Sequence, residues 1–306
     1  MVKGFLILAS GSPRHGSSLR ALQPVHTTVW KIYKICFRTL DTSFKILYTE
    51  VYTGESMKIL LTGSSGYIGK NLRGYVHWHN LPYEFAYYDL VDGFDVLDPT
   101  ELHRCVQGCD GIIHLAGISG IVKCEENPAR AVEVNSRGTF YVASTAREMG
   151  IPFVLASSFS VEIPINVYGS TKKIAEAITR NNKGVALRIA NVYGGVNYLE
   201  TKGSVISYLV NSKALGEKPT IHEDGRFERD FIHVQDVCEA LLHGLKQKPG
   251  IYRVCTGKLT SVAEIATMVG HESWNSIPNP RVDEKVEVLP DWEPKISLKK
   301  GLGMRM

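Results

Sequence analysis

Thr62-Gly63-Ser64-Ser65-Gly66-Tyr67-Ile68-Gly69 is the stretch whose reading decides the fold. The apolar run Ile59-Leu60-Leu61 leads into it and a helix-forming segment follows, so the glycines sit between a strand and a helix. In that setting each has a mechanical use. Gly63 permits a tight turn, Gly66 lets backbone amides approach a pyrophosphate, and Gly69 lets the helix pack on the strand. Tyr67 and Ile68 open that helix, whose N-terminus turns partial positive charge toward the phosphates.

Working outward, short apolar runs alternate with helical patterns. Strands are expected at Ile59–Thr62, Glu84–Tyr88, Gly111–Ala116, Phe153–Ser157 and Val185–Ile189, each apolar nearly throughout, as for strands covered on both faces. The rhythm predicts an α/β fold, a doubly wound parallel sheet of the Rossmann kind. Asp98-Pro99-Thr100-Glu101 offers an N-cap, a proline at the first helical position and a glutamate three after the cap. Asn127-Pro128 opens a helical segment expected to run to Met149 and stop at Gly150. Ser261-Val262-Ala263-Glu264 is a further capping box. Past about residue 190 the alternation loosens. The expected division is therefore 57–190 for the dinucleotide-binding domain and 191–306 mainly for a small substrate lobe, with some segments returning to the sheet.

The second strand ends at Asp89, twenty residues after Gly69. An acid there accepts hydrogen bonds from adenosine ribose hydroxyls and repels a 2′-phosphate, and Ser64 and Ser65 provide no cation to neutralise one. The cofactor expected is NAD rather than NADP. Asp95-Val96, ahead of the next helix, is placed beside the adenine, with an ordinary surface loop as the alternative.

Composition bounds the partners. The chain has 306 residues, 44% hydrophobic and 22% charged, ordinary for a globular protein and without an apolar run long enough to span a membrane. Its net charge of +4 resides in residues 1–56, where seven Lys/Arg face three acids; the rest holds 28 of each sign. A basic nucleic-acid face on residues 57–306 has no support. Residues 1–56 are rich in Ser and Thr and poor in acids, and three readings compete: an upstream start ahead of Met57, a transit peptide, and, weakest, a secretory signal. The expected compartment is the cytoplasm, with organelle import if the segment is a transit peptide. Six cysteines without a C-x-x-C pair read as reduced thiols. His77 and His79 face different sides of a helix, and no metal site is expected.

Two Y-x-x-x-K matches occur, Tyr168…Lys172 and Tyr198…Lys202. The first opens a helical pattern after the strand ending in Ser157-Ser158; the second lies in a Gly- and Asn-rich stretch and is taken as a decoy. Four apart on a helix, Tyr168 and Lys172 share a face. An ammonium and a cationic nicotinamide nearby both stabilise a phenolate, so Tyr168 is the expected proton acceptor. Ser158, at the carboxyl end of its strand, is the hydroxyl expected to hold the reacting oxygen, with Ser157 its close competitor.

The G-x-x-G-x-x-G spacing with Thr62 and the Tyr168–Lys172 pair resemble the extended, nucleotide-sugar-modifying branch of the short-chain dehydrogenase/reductase superfamily. The resemblance spans essentially all of 57–306. It implies further roles. His114-Leu115-Ala116-Gly117 is similar to the strand end lining the nicotinamide, and Asn135 to the helix asparagine of these enzymes. Asn191, in Leu187–Gly194, is similar to an asparagine that contacts the sugar nucleotide, and Arg229 to the arginine that binds its diphosphate; a structural pair with Asp230 or Asp236 is the alternative for Arg229. A homodimer through the helix from Asn127 and the helix of Tyr168 is implied as well.

There are departures. Ser158 is followed by Phe159-Ser160-Val161-Glu162, and Tyr168 comes only ten residues later. Ten residues reach about 33 Å when extended, so the triad still closes while the wall of the pocket shrinks. A more open sugar site is expected. Family dehydratases carry Asp and Glu directly after the hydroxyl residue; Phe159 and Ser160 lack that acid–base chemistry. The reaction expected is epimerisation of a UDP-hexose at C4 through a 4-keto sugar. The alternatives are a keto-deoxy nucleotide-sugar reductase, whose tyrosine segment Pro164–Lys172 resembles, a 4,6-dehydratase, and a non-catalytic NAD-binding sensor.

Overall fold

The computed structural model describes residues 56–162, 166–200, 204–277 and 290–303. The readings of residues 1–55, of Pro164-Ile165 and of Lys202 lie outside them. Six parallel strands make the central sheet in the order β2 (Tyr83–Tyr88), β1 (Met57–Thr62), β3 (Gly111–His114), β4 (Phe153–Ser158), β5 (Val185–Ile189), β9 (Gly250–Val254). The order reverses between β1 and β3, which opens a crevice at their carboxyl ends. β1, β3, β4 and β5 are buried almost throughout, as a sheet covered on both faces requires.

Two apolar layers cover it. On one face α1 (Tyr67–Trp78) and α8 (Val234–Gly244) pack Leu72, Val76, Val237 and Leu241 against Ile59, Leu61, Val154 and Leu187. On the other, α2 (Pro99–Cys105), α5 (Thr139–Met149) and α6 (Val167–Asn181) pack Leu102, Val142, Ala146 and Ala175 against Leu60, Ile112, Leu155 and Ala186. Residues on successive positions of each strand thus serve opposite layers. Beyond β5, β6 (Asn191–Tyr193), β8 (Glu228–His233) and β10 (Leu259–Ser261) form a second sheet, and β7 (Thr220–His222) pairs with β11 (Asn275–Ile277). A third apolar cluster joins Tyr193, Phe231, Leu209 of α7 (Val205–Ala214) and Ile265 of α9 (Val262–Val269), with Leu298 and Leu302 of α10 (Leu298–Gly303) against it. The chain returns to the central sheet through α8 and β9.

Several local expectations are met in detail. Asp98 caps α2 by accepting from Thr100 N and Glu101 N, although Glu101 turns to Arg104 instead of back to the cap. Ser261 and Glu264 make a reciprocal capping box. Gly150 ends α5 in the left-handed region at φ 69°. Two differences matter. The third strand ends at His114, not Ala116, because Leu115–Gly117 bends into the loop that meets the glycine turn. The segment from Pro128 to Met149 is not one regular helix: α4 (Pro128–Val132) passes through a wider π turn, Glu133–Gly138, into α5. That turn aims the Asn135 amide inward, and its Gly138 leaves room for Val96, whose Cγ2 lies 2.8 Å from where a Cβ would stand. Such turns recur where a helix serves a site.

Polar groups are buried at two places. Arg188, midway along apolar β5, makes a two-nitrogen fork to Glu176 of α6 at 2.9 and 2.8 Å, and both side chains are at most 3% exposed. His114 is fully buried between two threonines. Thr139 spends its hydroxyl proton on Asn135 O at 2.6 Å, so His114 Nε2–H donates to Thr139 Oγ1, and Nδ1 accepts from Thr62. Burial, with the charge of Lys172 second, lowers the imidazole to about 3. Burial lowers His233 to about 4.

Two tests follow from these groups. Both histidines bind protons more weakly folded than unfolded, so their stabilisation is complete above pH 6.5 and is lost as pH falls toward 4 for His233 and 3 for His114; unfolding free energy should drop by up to about 1.4 kcal/mol per pH unit per histidine. Denaturant titrations between pH 7 and 5 should show this slope, and His114→Gln should flatten it while lowering stability at pH 7. Arg188→Met, which strands the Glu176 charge, should destabilise by about 3–5 kcal/mol, and Arg188→Met with Glu176→Gln should recover much of that.

Candidate functional site

The glycine turn is shaped by close approach. Gly63 lies at φ 72°, and a Cβ there would stand 2.5 Å from Ala116 N; at Gly69 one would stand 2.5 Å from Gly63 O. Both positions exclude any side chain, so the loops after β1 and β3 touch through bare backbone. Gly66 occupies the N-cap of α1 without a side-chain cap, and no acid lies in the first turn. The amides opening the helix are therefore left to an outside acceptor. The buried Ser64 hydroxyl has no partner within the protein, an unsatisfied donor at the same turn. This donor set fits a dinucleotide pyrophosphate.

Asp89, at the end of β2, accepts from Ser65 N at 2.8 Å and from Val91 N at 3.1 Å. Its carboxylate thus stands beside the glycine turn. Asp95 accepts from Leu97 N and lies 3.4 Å from Arg130, while Val96 is buried among the α2 and α5 side chains. The Tyr67 ring leaves the turn, hydrogen-bonds Gly194 O and packs on Tyr198, and Ile68 joins the α1 layer. Both side chains are thus engaged away from the glycine turn. Leu115, Ala116 and Gly117 form the opposite lip. A Cβ at Gly117 would stand 2.9 Å from Asn135 Oδ1 and 3.6 Å from Lys172 Nζ.

Asn135 is a tie. Its Oδ1 accepts from Ile118 N at 2.7 Å, and its Nδ2 donates to Ile118 O at 3.0 Å and Thr171 Oγ1 at 3.1 Å. It joins the loop after β3 to the helix of Tyr168. That helix is capped by Asn166, which accepts from Gly169 N at 2.7 Å, and Val167 N donates to Glu125 of α3 (Ile121–Glu126) at 2.8 Å.

Ser158 and Tyr168 meet, and Lys172 lies one turn along the same helix. The Tyr168 phenol hydrogen-bonds both Ser158 and Ser119. Ser158 Oγ also reaches Ser160 Oγ at 3.2 Å and accepts from Ser160 N at 3.1 Å. Lys172, 7% exposed, donates to Ala156 O at 2.9 Å. Burial brings its ammonium down to about 8, against the raising influence of Cys124 and Glu176. Burial raises Tyr168 above its ordinary value, opposed by its bonds to Ser119 and Ser158. Among the protein's own groups burial outweighs the two hydroxyl bonds at the phenol; the lowering expected from Lys172 together with a cationic nicotinamide is not supplied by these groups. The competitor Ser157 points away and donates to Glu176 at 2.7 Å. Tyr198 is buried at 1% exposure, bonded to Ser204, apart from this group.

On the second sheet, Arg229 Nη1 lies 3.3 Å from Asn191 Oδ1, and Asn191 Nδ2 donates to Asp230 O at 3.0 Å. The two residues assigned separately to the substrate are therefore neighbours. Asp230 is engaged by Thr256 N and Oγ1, and Asp236 by Lys295 N and Ile296 N. Sequence reasoning missed Ser119, Thr171 and the ion pairs of Glu162. Only Arg188, a charge inside an apolar strand, carried a visible signal.

Residues 59–255 match the NAD dependent epimerase/dehydratase family. The ADP-L-glycero-D-manno-heptose-6-epimerase of Pseudomonas aeruginosa is 28% identical over 257 residues, covering 70% of this chain and 77% of that one. The GDP-6-deoxy-D-mannose reductase of the same species is 24% identical over 291 residues, covering 81% and 95%. In fold, the chain is similar to the UDP-glucose 4-epimerase of Thermotoga maritima, with a TM-score of 0.69, 22% identity, and coverage of 80% of this chain and 96% of that one. No helix among the described residues is long and apolar enough to cross a membrane. The glycine turn, the acid after β2 and the sheet order agree with the match: the chain belongs to the NAD dependent epimerase/dehydratase family, and NAD is its cofactor.

Proposed function

We propose that this protein epimerises a nucleotide sugar, a UDP-hexose, at C4 through a transient 4-keto sugar. The observation that carries the reading is the hydrogen-bonded group of Ser158 and Tyr168 with Lys172 one turn along the same helix. Gly63, Gly66, Gly69 and the amides of Tyr67 and Ile68 would hold the pyrophosphate of NAD, Asp89 its ribose, with Asp95 and Val96 at its adenine and Leu115–Gly117 with Asn135 at its nicotinamide. When bound, NAD⁺ supplies the hydride acceptor, a positive charge and, on return, the hydride.

The chain's own residues manage the proton. Ser158 orients the sugar hydroxyl, and Tyr168 takes its proton and later gives it back to the oxygen on the inverted centre. Lys172 adds positive charge near the phenol, and at about 8 it stays largely protonated at neutral pH. Asn191 and Arg229 hold the nucleotide end, with the guanidinium on the diphosphate. Glu162, the nearest acid after Ser158, is tied to Arg188 and Arg253, which supports a reaction without elimination of water. Residues from 191 on, apart from α8 and β9, form the sugar-binding lobe. A homodimer through the α4–α5 segment from Asn127 and α6 belongs to the same reading, supported by Val132 of α4, Phe140 of α5 and Ile174 of α6, exposed at 47–49%.

The test is product analysis with UDP-glucose, UDP-N-acetylglucosamine and UDP-glucuronate and catalytic NAD⁺. The expected result is the C4 epimer without net NADH, with kcat lowered at least about 100-fold in Tyr168→Phe. Ser158→Ala should lose most turnover, whereas Ser157→Ala should keep it and lose stability instead. Similar rates on plain and acetylated hexoses fit the short Ser158–Tyr168 connection; strict preference counts against an open pocket. Arg229→Met should raise KM for the nucleotide sugar about tenfold or more while leaving NAD binding intact, since a charge-assisted bond to phosphate is lost. The similarity to the GDP-sugar reductase supports a second reading, and stoichiometric NADH consumption on a keto-deoxy nucleotide sugar would establish it in place of the first.

A further inference from the structure

Between Ser158 and Tyr168 the chain makes a short turn, Phe159–Glu162, and what holds that turn is electrostatic. Ser157, Arg188 and Arg253 stand in register across β4, β5 and β9. Two guanidinium groups on neighbouring strands repel unless carboxylates lie between them. Glu176 forks to Arg188 and also accepts from Ser157. Glu162 serves both: its Oε1 accepts from Arg253 Nε at 3.1 Å and Nη2 at 2.8 Å, and lies 3.4 Å from Arg188 Nη1. The Glu162 side chain is 15% exposed, so these bonds act away from bulk solvent. At the other end of the turn, the Arg253 guanidinium lies over the Phe159 ring at 5.5 Å. The same turn presents Ser160 N and Oγ to Ser158 Oγ at 3.1 and 3.2 Å.

We propose that Glu162 is a positioning residue: its ion pairs with Arg253 and Arg188 fix the Phe159–Glu162 turn and so hold the Ser158 hydroxyl at the Tyr168 phenol. The proposal rests on the reading of Tyr168 as the proton acceptor. The strand end alone leaves the Ser158 side chain free to rotate; Ser160, carried by the clamped turn, restrains it. Without Glu162, Arg188 keeps its fork to Glu176, and Arg253 sits at the partly exposed rim, so the sheet survives while the turn loosens. Glu162 thereby acts through Ser160 and Ser158, without touching substrate.

The experiment uses the full chain with Glu162→Gln, Arg253→Met, the double variant and Tyr168→Phe, on whichever of the three UDP-sugars is turned over fastest. Expected for Glu162→Gln and Arg253→Met is a kcat lowered about tenfold to a hundredfold, with KM and NAD binding within about twofold, because orientation and not affinity is lost. The rising limb of the kcat–pH profile should move to higher pH, since a misplaced Ser158 no longer stabilises the phenolate. Exchange of the Ser160 amide should quicken about tenfold, a readout independent of turnover. The double variant should be no worse than Glu162→Gln, as expected when both residues act as one unit.

Unchanged kcat, pH limb and Ser160 exchange would overturn the clamp, as would losses spread equally over KM, NAD binding and thermal stability. Should Glu162→Gln fail to fold, Arg253→Met decides by the same readouts. An active Tyr168→Phe brings down the reading of Tyr168 and the clamp with it. An inactive Tyr168→Phe beside an unaffected Glu162→Gln brings down the clamp alone.

Discussion

The backbone contact between Gly63 and Ala116 is the constraint on which the rest of the site depends. No Cβ fits at 63, so the turn after β1 lies directly against the loop after β3. From that contact an unbroken set of bonds runs to Tyr168 and Lys172. The loop after β3 is gripped at Ile118 by Asn135, and Asn135 also holds Thr171, the residue beside Lys172. Ser119, next along the loop, reaches the Tyr168 phenol. The glycine turn and α6 are therefore placed by one short series of backbone and amide contacts, with little freedom to drift apart.

Buried polarity does the second part of the placement. A parallel sheet covered on both faces has no water to satisfy polar side chains, so each must find a protein partner. His114 does so as a neutral imidazole with one donor and one acceptor, tying β1 and β3 to α5. Arg188 does so as an ion pair with Glu176, tying β5 to α6. Such pairs add little net stability over apolar packing but punish any other arrangement, because a lone buried charge is costly. The orientation of α6 relative to the sheet, and with it that of Tyr168 and Lys172, is set by this intolerance.

Much of the fold was legible residue by residue. The strand cores, the caps at Asp98 and Ser261 and the stop at Gly150 depend on local chemistry, and the structure agrees with them. The long helix from Asn127 was misjudged at its middle, because a π turn has no local signature; it arises where Asn135 and Gly138 meet partners distant in sequence. Likewise the third strand stops early because another loop crosses it.

The sequence by itself determined the architecture, since periodicity and glycine spacing are properties of neighbouring residues, and its motifs resembled those of the family to which the chain belongs, NAD included. Only the tertiary structure turned Ser157 to Glu176 and Ser158 to Tyr168, set Asn191 beside Arg229, and brought Glu162 to Arg253 across 91 positions. Those outcomes depend on which face of a strand a side chain takes and which strands lie side by side. Register and sheet order create them, and no local pattern encodes either.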